Sequence, residues 1–517
     1  MASLIPQEIA TSGEAPGQIH GYLSINSKGG TSVLDVESLP ATSESFHGKK
    51  ADTTAALKLA NSSGLKVVAQ SRLGIAVVGP AGAYEEITGG KIVTKEILVY
   101  AEAATRRYVT HLDIVGANQP SAIGCGRPTS NAAGIEAVVL ERPRSPQATA
   151  AWPAVASSPT PQSGGIWPSP IPPTVPGFYL RVPQDVALGL GVPAAHQQGF
   201  RGQGVTVVMV DTGHFLHPFF TAHHYQVTTP IAVVPGASRT SDPVGHGTGE
   251  SANIFAAAPD AQLQPIRASD SSGQLVAALG GFMKAKELKP QVLTNSWGGD
   301  LPFPPNSNTL SPQDAAFALE IKDAVEQGIF VVFSAGNGQF SVEPQVPEVF
   351  AAGGVYMGSN MALQASNYAS GFQSPFFPSR IVPDACGLVG LLPRAAYIML
   401  PIAPGCELDV EMSRPDEQGN PGDATPPNDG WALFSGTSAA APQIAGVAAI
   451  LISARPPKAA PLSPAQIKEA LNSTCIDVTS GHCHPRFNNP AVPGQDLATG
   501  FGLVHAADAL KYAQDHF

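Results

Sequence analysis

The chain has 517 residues, of which 43% are hydrophobic and 13% charged, so it is long enough for two or three domains and at least one large core. Its formal net charge of -11 argues against nucleic acid or an anionic membrane as the main partner, and no apolar run is long enough to cross a membrane. The start of the chain lacks the basic and apolar regions of a secretory signal, and the five cysteines are few and odd in number. These features predict a protein that is cytoplasmic or exported by a non-classical route.

The N-terminal part of the chain has an α+β pattern. Residues 1–18 show no periodicity, and we expect them to be disordered. Strands and helices then follow in the order βαββαβ, at 19–26, 51–61, 65–70, 73–78, 81–88 and 91–100. This order is typical of a ferredoxin-like domain, which we place at residues 19–141, with extra strands near 108–115 and 135–140.

A sharp change in composition follows this domain. Residues 142–176 are rich in proline, serine and alanine and have no apolar period. Such a segment cannot bury a core, so it predicts an extended, semi-rigid linker. We interpret it as a spacer rather than as a docking motif.

Residues 177–517 alternate between apolar strands and helices, which predicts an α/β domain. The strands are expected at 205–210, 262–266, 292–295, 329–333 and 349–352, and the helices at 273–287, 311–327 and 438–453. This alternation favours a mainly parallel sheet with helices on both faces. Functional side chains of such sheets gather beyond the carboxyl ends of the strands, where Asp211 and Asn337 stand.

Three glycine-rich motifs supply a carboxylate, an imidazole and a hydroxyl. Asp211 stands in Val-Asp-Thr-Gly, His246 in Gly-His-Gly-Thr-Gly and Ser438 in Gly-Thr-Ser-Ala-Ala-Ala-Pro. Each residue alone has a simpler interpretation, as a turn cap, a loop histidine and a helix N-cap. Together they can make a serine nucleophilic, because the imidazole takes the hydroxyl proton and the carboxylate fixes the imidazole tautomer.

A fourth motif places an amide side chain after a predicted strand. Asn337 lies between two glycines, which would also suit an asparagine in a turn. Acyl transfer, however, develops negative charge on the substrate carbonyl oxygen. The Asn337 amide and the Ser438 backbone N–H would together form an oxyanion hole for that charge.

Through these motifs, residues 202–510 resemble the subtilisin-like serine peptidases, that is, the subtilases of peptidase family S8. The Gly-Thr-Ser-x-Ala-x-Pro element around Ser438 is the most specific part of the resemblance. It implies that Ser438 is the nucleophile, that His246 is the general base and acid, and that Asp211 orients the imidazole. In the same way it implies that Asn337 is the oxyanion donor.

The resemblance also implies a substrate and a cofactor. The substrate would be a protein or peptide, bound as an extended strand. The residues expected to bind it are Ser296, Trp297, Gly298, Ala335 and Gly336. Calcium is an expectation of the family, but no loop here has a calcium-ligand spacing, so we assign no metal ligands.

The N-terminal region resembles a subtilase propeptide, which is also ferredoxin-like. The stretch at 73–80 and the Ala-Tyr-Glu-Glu run at 83–86 carry this likeness. It implies that the N-terminal domain is an intramolecular inhibitor of the C-terminal domain and assists its folding.

One residue departs from the family pattern beside the histidine. Where the family often has His-Val-Ala-Gly after His-Gly-Thr, this chain has Gly-Glu-Ser-Ala, and Glu250 would lie early on the helix that carries His246. Glu250 is interpreted either as a carboxylate exposed to solvent or to the substrate cleft, or as a group that raises the pKa of His246.

Our leading hypothesis is a serine endopeptidase that hydrolyses peptide bonds through an acyl-enzyme. A peptide ligase or macrocyclase needs the same triad and is the first alternative, since it passes the acyl group to an amine instead of water. The second alternative, a non-catalytic binding module, is less favoured because all four catalytic positions hold competent residues.

Overall fold

The computed structural model describes residues 9–11, 16–36, 38–102, 105–116, 118–129, 134–146, 167–416, 418–456 and 458–517, and the statements below refer to these ranges. The N-terminal and C-terminal regions each have a buried apolar core. A further apolar cluster contains residues of both regions, so the two pack directly against each other. No helix in these ranges is both long and apolar enough to cross a bilayer.

Helices occur in both regions. Those of the N-terminal region are Lys50–Ser62 and Ala81–Thr88, with the short 3₁₀ turns Val33–Asp35 and Glu44–Phe46. Those of the C-terminal region are Gln184–Gly189, Pro193–Gln197, Pro218–Ala222, His246–Ala257, Ala278–Glu287, Pro312–Glu326, Glu407–Met412, Thr437–Ser453, Pro464–Asn472 and Ala506–His516, with the 3₁₀ turn Glu343–Gln345. Two of these helices begin with a start signal that is visible in the sequence. Ser311 and Ser463 each accept a backbone N–H at a helix start and precede a proline in the first helical position.

The N-terminal region is built on a five-stranded antiparallel sheet. In spatial order its strands are Lys66–Gln70, Gly74–Gly79, Ile19–Ile25, Ile135–Leu140 and Cys125–Gly126. Apolar side chains of both N-terminal helices pack with those of the sheet. The first four strands in this list have the spatial order of a ferredoxin-like sheet. However, Ile135–Leu140 lies where the strand at 91–100 was expected.

We predicted that the strand at 91–100 would complete this sheet, and that prediction is wrong. Lys91–Glu102 instead pairs with Thr105–Val115 in a separate three-stranded sheet. Its apolar residues are interrupted by Thr94, Lys95 and Glu96, and several of its side chains are only half-buried, which suits a partly exposed hairpin. The place beside Ile19–Ile25 belongs to Ile135–Leu140, a nearly continuous apolar run that is buried except at Glu136.

Two predicted irregular segments are partly ordered. Ile9–Thr11, in the stretch expected to be disordered, pairs as a strand with Lys95–Ile97, whereas residues 1–8 and 12–15 lie outside the described residues. At the start of the predicted linker, Arg142 forms an ion pair with Asp314. Of that linker, residues 147–166 lie outside the described residues.

The C-terminal region contains the predicted mainly parallel sheet, so its α/β class is confirmed. In spatial order its strands are Gln226–Val227, Gln262–Arg267, Thr206–Asp211, Val292–Asn295, Phe330–Ser334, Phe350–Met357 and Leu363–Ala365. Only the last of these pairs is antiparallel, and Ile231–Ala232 and Ala385–Leu388 add parallel pairings. The buried helix Thr437–Ser453 packs against several of these strands.

Three smaller sheets complete the C-terminal region. Leu180–Arg181, Ile398–Pro401 and Trp431–Phe434 form one, and Phe372–Gln373 pairs with Ile381–Val382. In the third, Trp297–Gly298 pairs antiparallel with Ser145–Pro146, which comes from the end of the N-terminal region. This last pairing joins the two regions at the strand that the sequence predicts to bind substrate.

Candidate active site

Asp211 is the last residue of a strand in the middle of the parallel sheet. The strand Thr206–Asp211 is paired on both sides, with Gln262–Arg267 and with Val292–Asn295. The buried carboxylate accepts the backbone N–H of Thr212 at Oδ1, over 2.7 Å. Because both the backbone and the carboxylate are held, Asp211 presents a fixed acceptor at the carboxyl end of the sheet.

His246 is the first residue of the buried helix His246–Ala257. Its Nδ1 lies 2.6 Å from Asp211 Oδ1. A carboxylate oxygen only accepts, so Nδ1 carries the proton and Nε2 is left as the basic nitrogen. The orientation of the ring is therefore set by Asp211.

The start of this helix is fixed by Asp242. Its carboxylate accepts the backbone N–H groups of Gly245 over 3.0 Å and of Thr248 over 2.8 Å. Gly245 has φ +89°, a left-handed conformation that disfavours any residue with a Cβ. This turn and cap place His246 opposite the end of the Asp211 strand.

Ser438 is the second residue of the helix Thr437–Ser453 and is fully buried. This helix approaches the histidine helix closely at Gly446, where a Cβ would lie only 2.6 Å from the carbonyl oxygen of Ile254. The close approach brings the starts of the two helices, and hence Ser438 and His246, to one place.

The Ser438 hydroxyl has a partner that the sequence did not reveal. Ser438 Oγ donates to Glu250 Oε1 over 2.8 Å, and the same carboxylate oxygen lies 3.7 Å from His246 Nε2. In the described part of the chain, Nε2 itself has no hydrogen-bond partner. The structure thus gathers Asp211, His246, Ser438 and Glu250, with the serine bonded to the glutamate.

The Asn337 amide is anchored next to the serine. Its Oδ1 accepts the backbone N–H of Thr437 over 2.9 Å and the Thr437 hydroxyl over 3.0 Å. With the oxygen so engaged, the amide nitrogen is the donor end of the group. This anchoring sets the direction in which Asn337 can donate.

The predicted substrate-binding residues lie around the same point, with different roles. Ser296 donates its hydroxyl to the Ser438 carbonyl over 2.9 Å. The backbone N–H of Gly336 donates to the Thr437 hydroxyl over 3.1 Å, and the Ala335 N–H donates to the Ala352 carbonyl. These contacts fix the backbone around the nucleophile.

Trp297 and Gly298 offer backbone rather than side chains to a neighbouring strand. The Trp297 ring is buried, donates Nε1–H to the Val210 carbonyl over 2.7 Å and stacks on Phe317. It packs in the core, so the structure gives no support to a pocket-lining role for this side chain. The backbone of both residues pairs with Ser145–Pro146.

The pKa values of His246 and Glu250 are both raised. Burial alone would lower the pKa of His246, but the nearby Asp211 carboxylate, its hydrogen bond, Glu250 and Asp242 outweigh burial and raise this pKa to about 9. Burial raises the pKa of Glu250 to about 7, despite the opposing effects of His246 and of the Ser438 hydrogen bond. The imidazole therefore becomes a free base only at alkaline pH.

One group of side chains in the described ranges has the composition of a metal site: His47, Asp323 and Glu326. Asp323 already pairs with Arg72 through one oxygen and with Lys286, at 2.8 Å, through the other. A metal ion would have to displace two cationic side chains, so this donor set does not fit calcium. Calcium binding stays a prediction from the resemblance.

Sequence reasoning missed Asp242 and the serine contact of Glu250. A signal for Asp242 existed, since an aspartate shortly before a helix start is a common cap. For Glu250 the sequence signals only its closeness to the histidine: Glu250 is four residues after His246, which puts both on one helix face. Nothing in the sequence indicated that Ser438 would face it.

Comparison with known proteins places residues 202–502 in a family. The sequence model described as the Subtilase family of S8 peptidases matches residues 202–502. Subtilisin Savinase of Lederbergia lenta is 24% identical over 345 residues, which cover 63% of this chain and 100% of that protein. Subtilisin E of Bacillus subtilis strain 168 is 26% identical over 313 residues, which cover 56% of this chain and 66% of that protein.

A solved structure shares the fold. It is fervidolysin from Fervidobacterium pennivorans, which is described as a keratinolytic enzyme related to subtilisin. The TM-score is 0.51 at 17% identity, and the match covers 96% of this chain and 61% of the fervidolysin chain. At this identity the likeness concerns the fold alone.

Proposed function

We propose that this chain, which belongs to the subtilase family and is a serine-type endopeptidase, cleaves peptide bonds through an acyl-enzyme formed on Ser438. The observation that carries the proposal is the Asp211–His246 hydrogen bond of 2.6 Å beside a buried serine at a helix start. An aspartate that fixes the imidazole tautomer leaves Nε2 free to accept the hydroxyl proton.

The reaction follows from this arrangement. Ser438 Oγ attacks the substrate carbonyl carbon while its proton passes to His246 Nε2. The oxyanion is stabilised by the Asn337 amide and the Ser438 backbone N–H. His246 then gives the proton to the leaving amine, and water, deprotonated by the same nitrogen, releases the acyl group. Hydrolysis needs no group beyond those named.

Covalent labelling tests the nucleophile. The full chain is treated with a fluorophosphonate, and the labelled peptide is identified by mass spectrometry. We expect one adduct, on the peptide that contains Ser438, and none in Ser438→Ala. Ser453→Ala, on the same helix but at its far end, is the matched control and keeps the label. An adduct on another serine would overturn the assignment, and so would a wild type that stays unlabelled after its N-terminal region has been cleaved from residues 177–517.

The N-terminal region is proposed as an intramolecular inhibitor of this site. The observation that supports it is the antiparallel pairing of Ser145–Pro146 with Trp297–Gly298. Strand addition of this kind is how an extended peptide binds to a sheet edge. The paired segment runs toward Ser296, whose hydroxyl contacts the Ser438 carbonyl, so it occupies an edge that substrate would use.

Three further expectations concern a binding module, transfer of the acyl group to an amine, and the location of the protein. The relatives named as subtilisins count against a non-catalytic binding module. No described feature favours transfer of the acyl group to an amine over hydrolysis. We also propose a cytoplasmic location or non-classical export, because all five cysteines are free thiols.

A further inference from the structure

Glu250 is a buried carboxyl group without a cationic side chain of lysine or arginine beside it in the described ranges. It is fully buried, and neither lysine nor arginine pairs with it in the described part of the chain. Buried carboxylates are costly unless they are paired or bonded. The contacts of Glu250 are with the catalytic residues and with one amide, which suggests a role at the reaction centre.

The position of the Glu250 carboxylate is well defined. Oε1 accepts the Ser438 hydroxyl over 2.8 Å, and Oε2 accepts Asn253 Nδ2 over 2.9 Å. Asn253 is held in turn by Gln443 on the serine helix, over 3.2 Å. Gln443 also bonds both the N–H and the carbonyl of Leu388. This chain of amides fixes the glutamate between the two helices.

We propose that Glu250 is a further catalytic-site residue: it accepts the Ser438 hydroxyl in the resting enzyme, competes with His246 for it, and confines activity to alkaline pH. This inference rests on the proposed function, because it assumes that Ser438 is the nucleophile. In the resting state the imidazole lies near two carboxylates, Asp211 on the Nδ1 side and Glu250 on the Nε2 side. Two negative charges favour the imidazolium, which cannot take a proton from the serine.

The reaction starts when the imidazolium loses its Nε2 proton to solvent. The Ser438 O–H then turns from Glu250 Oε1 to His246 Nε2 and passes its proton there as Oγ attacks the carbonyl carbon. The imidazolium that forms lies again between two carboxylates, so Glu250 also stabilises the charge that develops during attack. Glu250 therefore makes His246 a stronger base that works at higher pH.

The other groups that face this site do not replace Glu250. Asp211 is on the sheet, Asp242 is on the loop before the histidine helix, and the buried Tyr368 hydroxyl lies near Glu250. The serine helix, Thr437–Ser453, carries no charged residue. Of the groups in the described ranges, only Glu250 contacts both Ser438 and the Nε2 side of His246.

The test is the pH dependence of the rate of fluorophosphonate labelling and of kcat/KM for a peptide substrate, measured on the full chain. In wild type we expect both rates to rise with an apparent pKa near the value of about 9 at His246. In Glu250→Gln, which keeps the shape and loses the charge, the rise should move to lower pH by about 1 to 3 units. A rise that stays at the wild-type pH would overturn the inference.

The control is Asp409→Asn. Burial likewise raises the pKa of Asp409 to about 7, but its carboxylate bonds the backbone of Gly405 and Gly430 and not the triad. We expect the wild-type pH profile in this variant, and an equal shift in both variants would overturn the assignment to Glu250. If Glu250→Gln does not fold, Glu250→Leu replaces it, and failure of both to fold would mark Glu250 as structural and overturn the inference.

The two proposals fail in different ways. A wild type that is never labelled at Ser438 at any pH, with its N-terminal region attached or cleaved off, removes the proposed function and this inference with it. A wild type that is labelled at Ser438 and has the same pH profile as Glu250→Gln removes only the role of Glu250.

Discussion

At the scale of single residues, the site is organised around one imidazole and two carboxylates. Asp211 Oδ1 lies 2.6 Å from Nδ1 and Glu250 Oε1 lies 3.7 Å from Nε2. The shorter contact fixes the tautomer, whereas the longer one leaves room for the Ser438 hydroxyl to change partner. Both contacts raise the pKa of His246, so we expect the imidazole to be a strong base and the rate at neutral pH to be low.

The Asn337 amide should act through its nitrogen. We expect Asn337→Ala to lower kcat by about 10²–10³ with little change in KM, because the bond strengthens only as the oxyanion develops. Asn337→Asp is the sharper variant, since it keeps an acceptor for the Thr437 N–H and loses the donor. Steady-state kinetics with a peptide substrate measure both. If Asn337→Asp keeps the wild-type kcat, the residue serves only to anchor Thr437.

The sequence located individual site residues better than their contacts. Motifs around Asp211, His246, Ser438 and Asn337 name residue types that suit one reaction, and the structure brings all four to one place. The contact from Ser438 to Glu250 depends on how two helices distant in sequence cross, which no local pattern encodes. The same applies to Trp297, whose ring could face a pocket or the core, and which lies in the core.

At the scale of elements, periodicity predicted the parallel sheet and misplaced one strand of the N-terminal sheet. A short apolar run bounded by glycines, such as Thr206–Asp211, is typical of a strand buried on both faces, so the local pattern was enough to assign it. For Lys91–Glu102 the pattern gave a strand but not its partner. This strand pairs with the neighbouring strand Thr105–Val115 in a local hairpin, and the more apolar Ile135–Leu140 lies beside the central strand Ile19–Ile25.

The crossing of the histidine and serine helices depends on Gly446. In Gly446→Ala the new Cβ would lie 2.6 Å from the Ile254 carbonyl oxygen and 2.8 Å from Ala257 Cβ. Neither neighbour is a flexible side chain, so overpacking of about 1–3 kcal/mol should exceed the gain of about 1 kcal/mol in helix propensity. We expect a lower urea midpoint of unfolding, and a lower kcat because His246 and Ser438 move apart.

Gly82→Ala is the control for that variant. Gly82 is also helical, and a Cβ there would meet no atom within 4 Å. The substitution should leave kcat unchanged and the urea midpoint unchanged or slightly higher. A Gly446→Ala protein as stable and as active as Gly82→Ala would show that the two helices can separate without consequence.

At the scale of the whole molecule, the N-terminal region is bound to the C-terminal region through buried charges as well as apolar contacts. Glu141 accepts the backbone N–H groups of Leu279 and Gly280 at the start of the helix Ala278–Glu287. Arg144 Nε donates to Glu343 over 2.7 Å, and its guanidinium lies over the Phe317 ring at 4.6 Å. These contacts immediately flank the Ser145–Pro146 strand, so they hold it on Trp297–Gly298.

This arrangement predicts that Arg144 controls access to the site. Arg144→Ala leaves Glu343 buried without its partner, and breaking a buried pair in this way costs about 3–5 kcal/mol. If most of that cost falls on docking, the population with the Ser145–Pro146 strand released should rise by about two orders of magnitude or more. We therefore expect the intact variant to hydrolyse a short peptide faster than intact wild type, in initial rates taken while mass spectrometry shows an uncut chain.

Arg127→Ala is the control for Arg144→Ala, because Arg127 pairs with Asp35 at an exposed position within the N-terminal region, and such pairs contribute about 0–1 kcal/mol. Its initial rate should equal that of wild type. The readout separates inhibition from simple damage, since a structural defect lowers the rate whereas release of an inhibitory strand raises it. Glu343→Gln weakens the same ion pair by changing its partner in the C-terminal region, and it should also raise the rate. If Arg144→Ala and Glu343→Gln are no faster than Arg127→Ala, the Ser145–Pro146 strand does not limit entry of substrate, and the N-terminal region is not an inhibitor.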